Sequence, residues 1–273
     1  MSSARLRRAA ARIPQPPRGG HTTLATSRGL RIVGTDRICY LAPVNFLSHG
    51  WLVRHAHSAD VLIGSALPDL APLADRQLRL TPKRLELLRG EGAEAVVFGC
   101  EHHRRVDREF HVRESFHTAQ KAVSATLPAE GNPLPRNVLA HMLVEIGIDA
   151  EVLERDPAFV RETYARAFVS YDWPWLLERL ERATGGDTRG LAAMVERFDG
   201  GSWLQTYRTD QGVLDRIRGM VVRLMKRPLD EDALQRLRPA VAEARRCTRE
   251  RYDDLMPMEL ALPEGVEVPG RRG

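Results

Sequence analysis

The chain has 273 residues, of which 43% are hydrophobic and 28% charged, within the range of globular proteins. No apolar stretch approaches the roughly 20 residues that a membrane-spanning helix needs, so no membrane span is predicted. The three cysteines, Cys39, Cys100 and Cys247, are odd in number and far apart. They argue against a disulfide framework and favour a reducing, cytoplasmic location.

The net charge of +5 comes from the start of the chain. Residues 1–35 contain seven arginines and no acidic residue; removing those seven from the 41 basic residues leaves 34 against 36 acidic ones. The sequence pI of about 9.4 therefore describes a terminal segment, and no nucleic-acid partner is predicted.

Residues 1–40 are expected to form a disordered, Arg-rich tail. Prolines and glycines between positions 14 and 20 oppose regular structure, and the apolar content is too low for a core. The apolar stretch of residues 9–13 is too short for a secretory signal. A disordered extension or a misassigned start codon is the preferred interpretation, and an organelle transit peptide is an alternative.

Apolar residues at intervals of three and four predict one all-helical domain over residues 41–260, followed by a disordered tail at 261–273. Neither an internal repeat nor a linker divides this region. In chain order, the predicted helices cover residues 45–53, 58–70 (ending near Pro68 and Pro72), a segment opened by Pro82, 101–127 as one or two helices, 136–155, 158–184 with a break at Pro174, 188–198, 204–226 and 230–256.

Histidine and charged residues concentrate between Gly99 and Asp107. His103 and Asp107 are four residues apart, so on a helix they share one face and could bind one metal ion. Arg104 and Arg105 provide cationic groups suited to a phosphoryl group. A solvated, charged helix face is the alternative interpretation.

A second group of ionisable residues, His141, Glu145 and Asp149, lies on one stripe of an otherwise apolar helix. Burying all three is unfavourable unless a partner compensates them. A divalent cation would do so, and a hydrogen-bonded core network is the alternative.

Three further polar residues are less informative alone. His49 is most simply a core histidine, Asp69 a cap or turn residue, and His111, four residues after Asp107, a supporting neighbour of a ligand. The sequence has no P-loop, nucleophile elbow, GxGxxG or HExxH motif.

Taken in order, these motifs resemble the acyl carrier protein (ACP) phosphodiesterase family. The resemblance extends from Asn45 to about Pro257. Five collinear segments carry it: Asn45-Phe46-Leu47-Ser48-His49; Gly64 with Asp69, like a Gly-rich turn before an Asp; Gly99, His103, Arg104 and Asp107, like Gly-x-His-x-His-Arg-x-x-Asp; a histidine-bearing helix at 138–149; and Trp203-Leu204-Gln205-Thr206-Tyr207-Arg208 with the amphipathic helix after it.

The resemblance implies a helical fold distantly similar to HD-type phosphohydrolases and a Mn²⁺ or Mg²⁺ requirement. It also implies an enzyme that releases 4′-phosphopantetheine from holo-acyl carrier protein. Glu101, Ala140 and Ile146 depart from the family pattern. Glu145 and Asp149 could restore the lost charge, since carboxylate oxygens suit these cations.

Residue by residue, the resemblance assigns Asp69 as the metal-associated Asp. The expected metal ligands are His49, Asp69, His103, Asp107, His141 and Glu145. The expected catalytic residues are Asp69, His103, Arg104, Asp107 and Glu145, with Arg104 and Arg105 binding substrate. Glu101 is an alternative to Glu145 as an additional ligand or base. Two alternatives stay open: a phosphohydrolase of a nucleotide or another small phosphoester, and a non-catalytic protein that binds a carrier protein.

Overall fold

The computed structural model describes residues 45–198, 202–225 and 228–270. The predicted tail at 1–40 and Cys39 lie outside the described residues. Within the described ranges all regular structure is helical and there is no strand, which confirms the predicted all-α class. None of the helices in these ranges is long and apolar enough to cross a membrane. The described residues belong to one compact unit.

Fourteen α-helices are found in the described part of the chain. In order they are α1 (Phe46–Leu52), α2 (Ala59–Ala74), α3 (Pro82–Gly90), α4 (Glu94–Val112), α5 (Glu114–Thr126), α6 (Arg136–Arg155), α7 (Arg166–Ser170), α8 (Trp173–Thr184), α9 (Arg189–Glu196), α10 (Ser202–Gln205), α11 (Asp210–Met225), α12 (Glu231–Gln235), α13 (Arg238–Glu250) and α14 (Tyr252–Leu255). Short 3-10 helices cover Arg54–Ala56, Arg76–Leu78, Thr206–Arg208 and Met258–Leu260, and a π-helix covers Phe159–Ala165.

Helices α2 and α4 cross in backbone contact because each has a glycine at the crossing. A Cβ atom on Gly64 would lie 2.2 Å from the carbonyl oxygen of Val96, and one on Gly99 would lie 2.2 Å from that of Val61. Any larger side chain would force the helix axes apart. Gly64 therefore lies in the middle of a helix, within the segment predicted at 58–70, and not in a Gly-rich turn like the one that the family resemblance implied.

Pro68 and Pro72 do not end α2, which continues to Ala74. Proline removes a backbone hydrogen bond, which normally ends or bends a helix. The apolar face of α2 is deeply buried, including Leu67 and Ala71 at 0% exposure, and this tertiary packing outweighs the local signal.

Helix α6 is the buried centre of the fold, and its bounds, Arg136–Arg155, match the prediction. Every residue from Met142 to Leu153 is buried, and α6 packs against α1, α5 and α13. Because no face of this stretch meets solvent, its ionisable residues Glu145, Asp149 and Glu151 need partners within the protein.

Other boundaries differ from the prediction. The segment predicted at 101–127 begins earlier, at Glu94, and forms α4 and α5; the one predicted at 230–256 is divided into α12, α13 and α14. The predicted break at Pro174 falls at Tyr171–Asp172 instead. Asp172 caps α8 by accepting a hydrogen bond from the Trp175 N–H, and Pro174 lies in the first turn, where proline is favourable.

The packed chain continues past residue 260, where a disordered tail was expected. The Leu262 N–H donates to the Leu52 carbonyl at 2.8 Å. The Leu262 side chain is buried in a small cluster with Val53, Val61 and Ala95. This contact holds the C-terminal segment against α1 and α2.

Gly64→Ala should destabilise the protein by about 1–3 kcal/mol, because the added methyl group meets the α4 backbone and not a flexible side chain. Gly219→Ala in α11 is the matched control. No atom lies within 4 Å of the added Cβ there, so a stabilisation of about 0.5–1 kcal/mol is expected from helix propensity. Urea unfolding of both variants measures the difference, and equal midpoints would contradict the close crossing.

Candidate metal centre

Four helices bring seven histidine and carboxylate side chains into two neighbouring clusters. The first cluster contains His49 from α1, Asp69 from α2, and His103 and Asp107 from α4. The second contains His111 from α4 with His141 and Glu145 from α6. The structure thus brings together all six expected ligands and adds His111, but it divides them between two clusters.

The first cluster is centred on two stacked imidazoles, those of His49 and His103, with ring centroids 3.8 Å apart. His49 Nε2 lies 3.5 Å from Asp107 Oδ1. His103 Nε2 lies 3.3 Å from Asp69 Oδ1 and 3.9 Å from Asp107 Oδ2. Two ring nitrogens and two carboxylates therefore converge on a small volume.

A backbone contact fixes the tautomer of His103. Its Nδ1 lies 2.7 Å from the carbonyl oxygen of Ser65, and because a carbonyl only accepts, Nδ1 carries the hydrogen. Nε2 then points between Asp69 and Asp107, where it can hold either a proton or a cation. A ring held in this way by a backbone carbonyl is typical of histidines that bind metals.

The burial of the cluster determines its protonation. Burial, reinforced by the neighbouring His103, lowers the pKa of His49 to about 4, so this ring is neutral at pH 7. Burial disfavours the charged form of His103, but Asp69 and Asp107 outweigh it and raise its pKa to about 9. Burial raises the pKa of Asp69 to about 6. Burial also favours the neutral form of Asp107, but the neighbouring His49 and His103 outweigh this effect and hold the pKa of Asp107 below its usual range.

In the second cluster, two histidines converge on one carboxylate oxygen. Glu145 Oε1 lies 2.9 Å from His141 Nε2 and 3.2 Å from His111 Nε2. The two rings stack with centroids 4.7 Å apart. Burial disfavours ionisation of Glu145, but His141 and His111 outweigh it and lower its pKa.

Both clusters fit a cation by their donor sets and spacing. Within His49, His103 and Asp107, and within His111, His141 and Glu145, one ligand atom per residue lies within 4.8 Å of the others. Ligand atoms about 2.0–2.2 Å from a shared ion lie somewhat closer together, so a small closing movement would complete either set. Both ring nitrogens of His49 and Oε2 of Glu145 are buried without a hydrogen-bond partner, as expected of atoms that await a ligand.

The first cluster opens into a pocket of about 320 Å³. Asp69, His103 and Asp107 form one part of its lining, and Arg79 and Arg104 contribute cationic groups. Arg104 therefore lies where the sequence placed it. Arg79 was not expected, because it belongs to no recognisable motif.

Other charged residues of the Gly99–Asp107 segment lie away from the pocket. Arg105, expected to bind substrate, is exposed and does not line it. Glu101 pairs with Arg89 at 2.9 Å on the surface. His102 faces the opposite side, 2.7 Å from the carbonyl oxygen of Leu260. Only one face of α4 therefore belongs to the site.

Asp149 belongs to a hydrogen-bonded core network, which was the alternative to a bound cation for this stripe. Its oxygens accept from the N–H groups of Leu47 at 3.0 Å and Ser48 at 2.8 Å. These groups lie in the first turn of α1, where no neighbouring side chain caps them. Burial nevertheless raises the pKa of Asp149 to about 8. Asp149 thus anchors the helix that carries His49.

Comparison with protein-family models, curated proteins and solved structures finds no match for this chain.

Asp149→Asn should destabilise the protein by about 1–3 kcal/mol, because an amide can accept only one of the two bonds and leaves a buried N–H unsatisfied. Asp253→Asn, on the exposed side of α14, is the matched control and should leave stability unchanged. Urea unfolding at pH 7 measures both. Equal stability of the two variants would show that Asp149 does not anchor α1.

Mn²⁺ affinity should rise about tenfold per pH unit between pH 7 and 9, because a cation must displace the proton that His103 retains below its folded pKa of about 9. Titration calorimetry at pH 7, 8 and 9 measures the slope. His103→Gln should remove it, whereas His102→Gln, at the neighbouring position that faces away, should preserve it. An affinity independent of pH would contradict this role of His103.

Proposed function

We propose that the protein is a metal-dependent phosphodiester hydrolase with an HD-like helical site, which releases 4′-phosphopantetheine from holo-acyl carrier protein. One observation carries the proposal: buried histidines and carboxylates converge beside a pocket that also contains two arginines. Separate parts of the chain supply these groups, and buried polar atoms without partners lie among them. A set of this kind is unfavourable in a purely structural core.

Each side chain has a role that follows from its position. His49, His103 and Asp107 would hold the cation. Asp69, 3.3 Å from His103 Nε2, would orient that ring or complete the ligand set. The mixture of imidazole and carboxylate donors suits Mn²⁺ better than Mg²⁺, which prefers oxygen ligands.

A divalent cation supplies Lewis-acid polarisation of a phosphoryl oxygen and a water acidic enough to attack at neutral pH. The chain itself supplies orientation and charge. Arg79 and Arg104 line the same pocket as the ligands, so a phosphodiester held by their guanidinium groups would have its phosphorus next to the first cluster. Glu145, in the second cluster, would serve as the additional carboxylate ligand, with His111 and His141 beside its Oε1 atom.

The carrier protein would dock on the outer surface of α4. Arg105 and Arg108 are exposed there, within one turn of pocket residue Arg104. An acidic carrier protein would be attracted to such a patch, and its binding should weaken with salt. In this arrangement Arg105 contacts the protein part of the substrate and Arg104 the phosphate.

Purified protein with Mn²⁺ should convert holo-carrier protein into the apo form, with loss of 4′-phosphopantetheine followed by intact-mass spectrometry. Asp69→Ala should reduce the rate by about 10–100-fold or more, because it removes the carboxylate beside the His103 ligand nitrogen. Asp253→Asn should retain the wild-type rate.

The same assay separates the two other candidate functions. Nucleotides and generic phosphodiester dyes are tested beside the carrier protein. Hydrolysis of the small substrates but not of the carrier protein would show that the substrate is a small phosphoester. No hydrolysis of any substrate with any divalent metal would overturn the enzymatic proposal and leave a non-catalytic binding protein.

A further inference from the structure

We infer that His111, His141 and Glu145 form a second cation site, adjacent to the first and coupled to it through Asp107. The inference deepens the proposed function and rests on it for its chemical purpose. It concerns ion binding, however, so it can be tested separately from hydrolysis. The family resemblance assigns no role to His111, and the sequence suggested it only as a supporting neighbour of a ligand; its assignment as a ligand comes from the structure.

The convergence of three ligand atoms is the first argument. The Nε2 atoms of His111 and His141 approach the same oxygen of Glu145, at 3.2 and 2.9 Å. Two protonated rings stacked at 4.7 Å would repel each other. Two neutral rings would need to donate through Nε2 and leave Nδ1 as the acceptor. A single cation at the point of convergence satisfies all three side chains with their Nε2 lone pairs and one carboxylate charge.

The unpartnered oxygen of Glu145 is an independent observation. Glu145 is 3% exposed, and its Oε2 atom is buried without a hydrogen-bond partner. Buried carboxylate oxygens are nearly always paired, and an orphaned one requires an explanation such as a bound ion. A cation at this position would take up that oxygen, since carboxylates bind metal ions through one or both oxygens.

Asp107 joins the two clusters. Its Oδ1 atom lies 3.5 Å from His49 Nε2 in the first cluster and 4.0 Å from His111 Nδ1 in the second. His111 therefore directs Nε2 to Glu145 and Nδ1 to Asp107. A carboxylate behind a metal-binding histidine fixes the ring and strengthens it as a ligand. At 4.0 Å, Asp107 does not accept a hydrogen bond from His111 Nδ1 and would act on that ring by charge attraction, while binding the first ion itself.

Two neighbouring cations fit the proposed reaction class. Paired metal ions occur in phosphatases and nucleases, where they stabilise the attacking and the leaving oxygen of a phosphoryl group. In this chain, the pocket lies beside the first cluster, with Asp107 in its lining. None of His111, His141 and Glu145 lines that pocket, so a second ion would act on the reaction through Asp107 and not by direct contact with the phosphoryl group.

Metal analysis of the purified full-length protein tests the inference. After loading with Mn²⁺ and gel filtration, the wild type should contain about two ions per chain and show the electron paramagnetic resonance signal of a coupled pair. Glu145→Gln and His141→Asn should each contain about one ion and lose the coupling. His117→Asn, an exposed histidine on α5, is the matched control and should retain two.

The outcomes separate this inference from the proposed function. One ion in the wild type that Glu145→Gln leaves in place would overturn the second site while the hydrolase proposal stands. Two ions without hydrolysis of any phosphodiester would support the second site and overturn the hydrolase proposal. Because Glu145 is buried, circular dichroism is used to check that each variant folds. If Glu145→Gln does not fold, the test rests on His141→Asn, whose side chain is partly exposed. Retention of two ions by His141→Asn would overturn the second site.

Discussion

The contact between α2 and α4 is the constraint on which the site depends. Gly64 and Gly99 allow the two backbones to touch, and the Ser65 carbonyl then lies within 2.7 Å of His103 Nδ1. Asp69 follows Gly64 by five residues and His103 follows Gly99 by four, so the same crossing brings both side chains together. A larger residue at the crossing would move both the Ser65 carbonyl and the Asp69 carboxylate away from the His103 imidazole.

The site also requires charged groups to remain buried at an energetic disadvantage. Asp149 is not such a charge at pH 7, because burial raises its pKa to about 8, and its two oxygens accept from backbone N–H groups without an ion. Glu145 and His49 are different, since each retains buried atoms without partners. Asp149 and Glu145, one turn apart on the same helix, therefore differ in whether hydrogen bonds satisfy every carboxylate oxygen.

Local sequence patterns predicted the parts of the fold that local interactions decide. The bounds of α6 followed from an unbroken apolar period after Pro135, and the pairing of His103 with Asp107 followed from helix geometry. Contacts between helices could not be predicted in the same way. Gly64 was placed correctly within a predicted helix, but nothing in the neighbouring sequence reveals the close approach of α4. Pro68 and Pro72 looked like a helix end because the burial that outweighs them is tertiary.

Two ionisable stripes explain why the ligands form two clusters. On α4, His103, Asp107 and His111 are spaced by four, so one stripe extends from the α2 crossing to α6. On α6, His141, Glu145 and Asp149 form the second stripe, which meets His111 at one end. At the other end of this stripe, Asp149 binds the N-terminus of α1. Helix α1 in turn places His49 beside Asp107 on α4. The two stripes and α1 thus form a closed ring of contacts among α1, α4 and α6. The position of each candidate ligand on one of these helices therefore depends on the position of the other two helices.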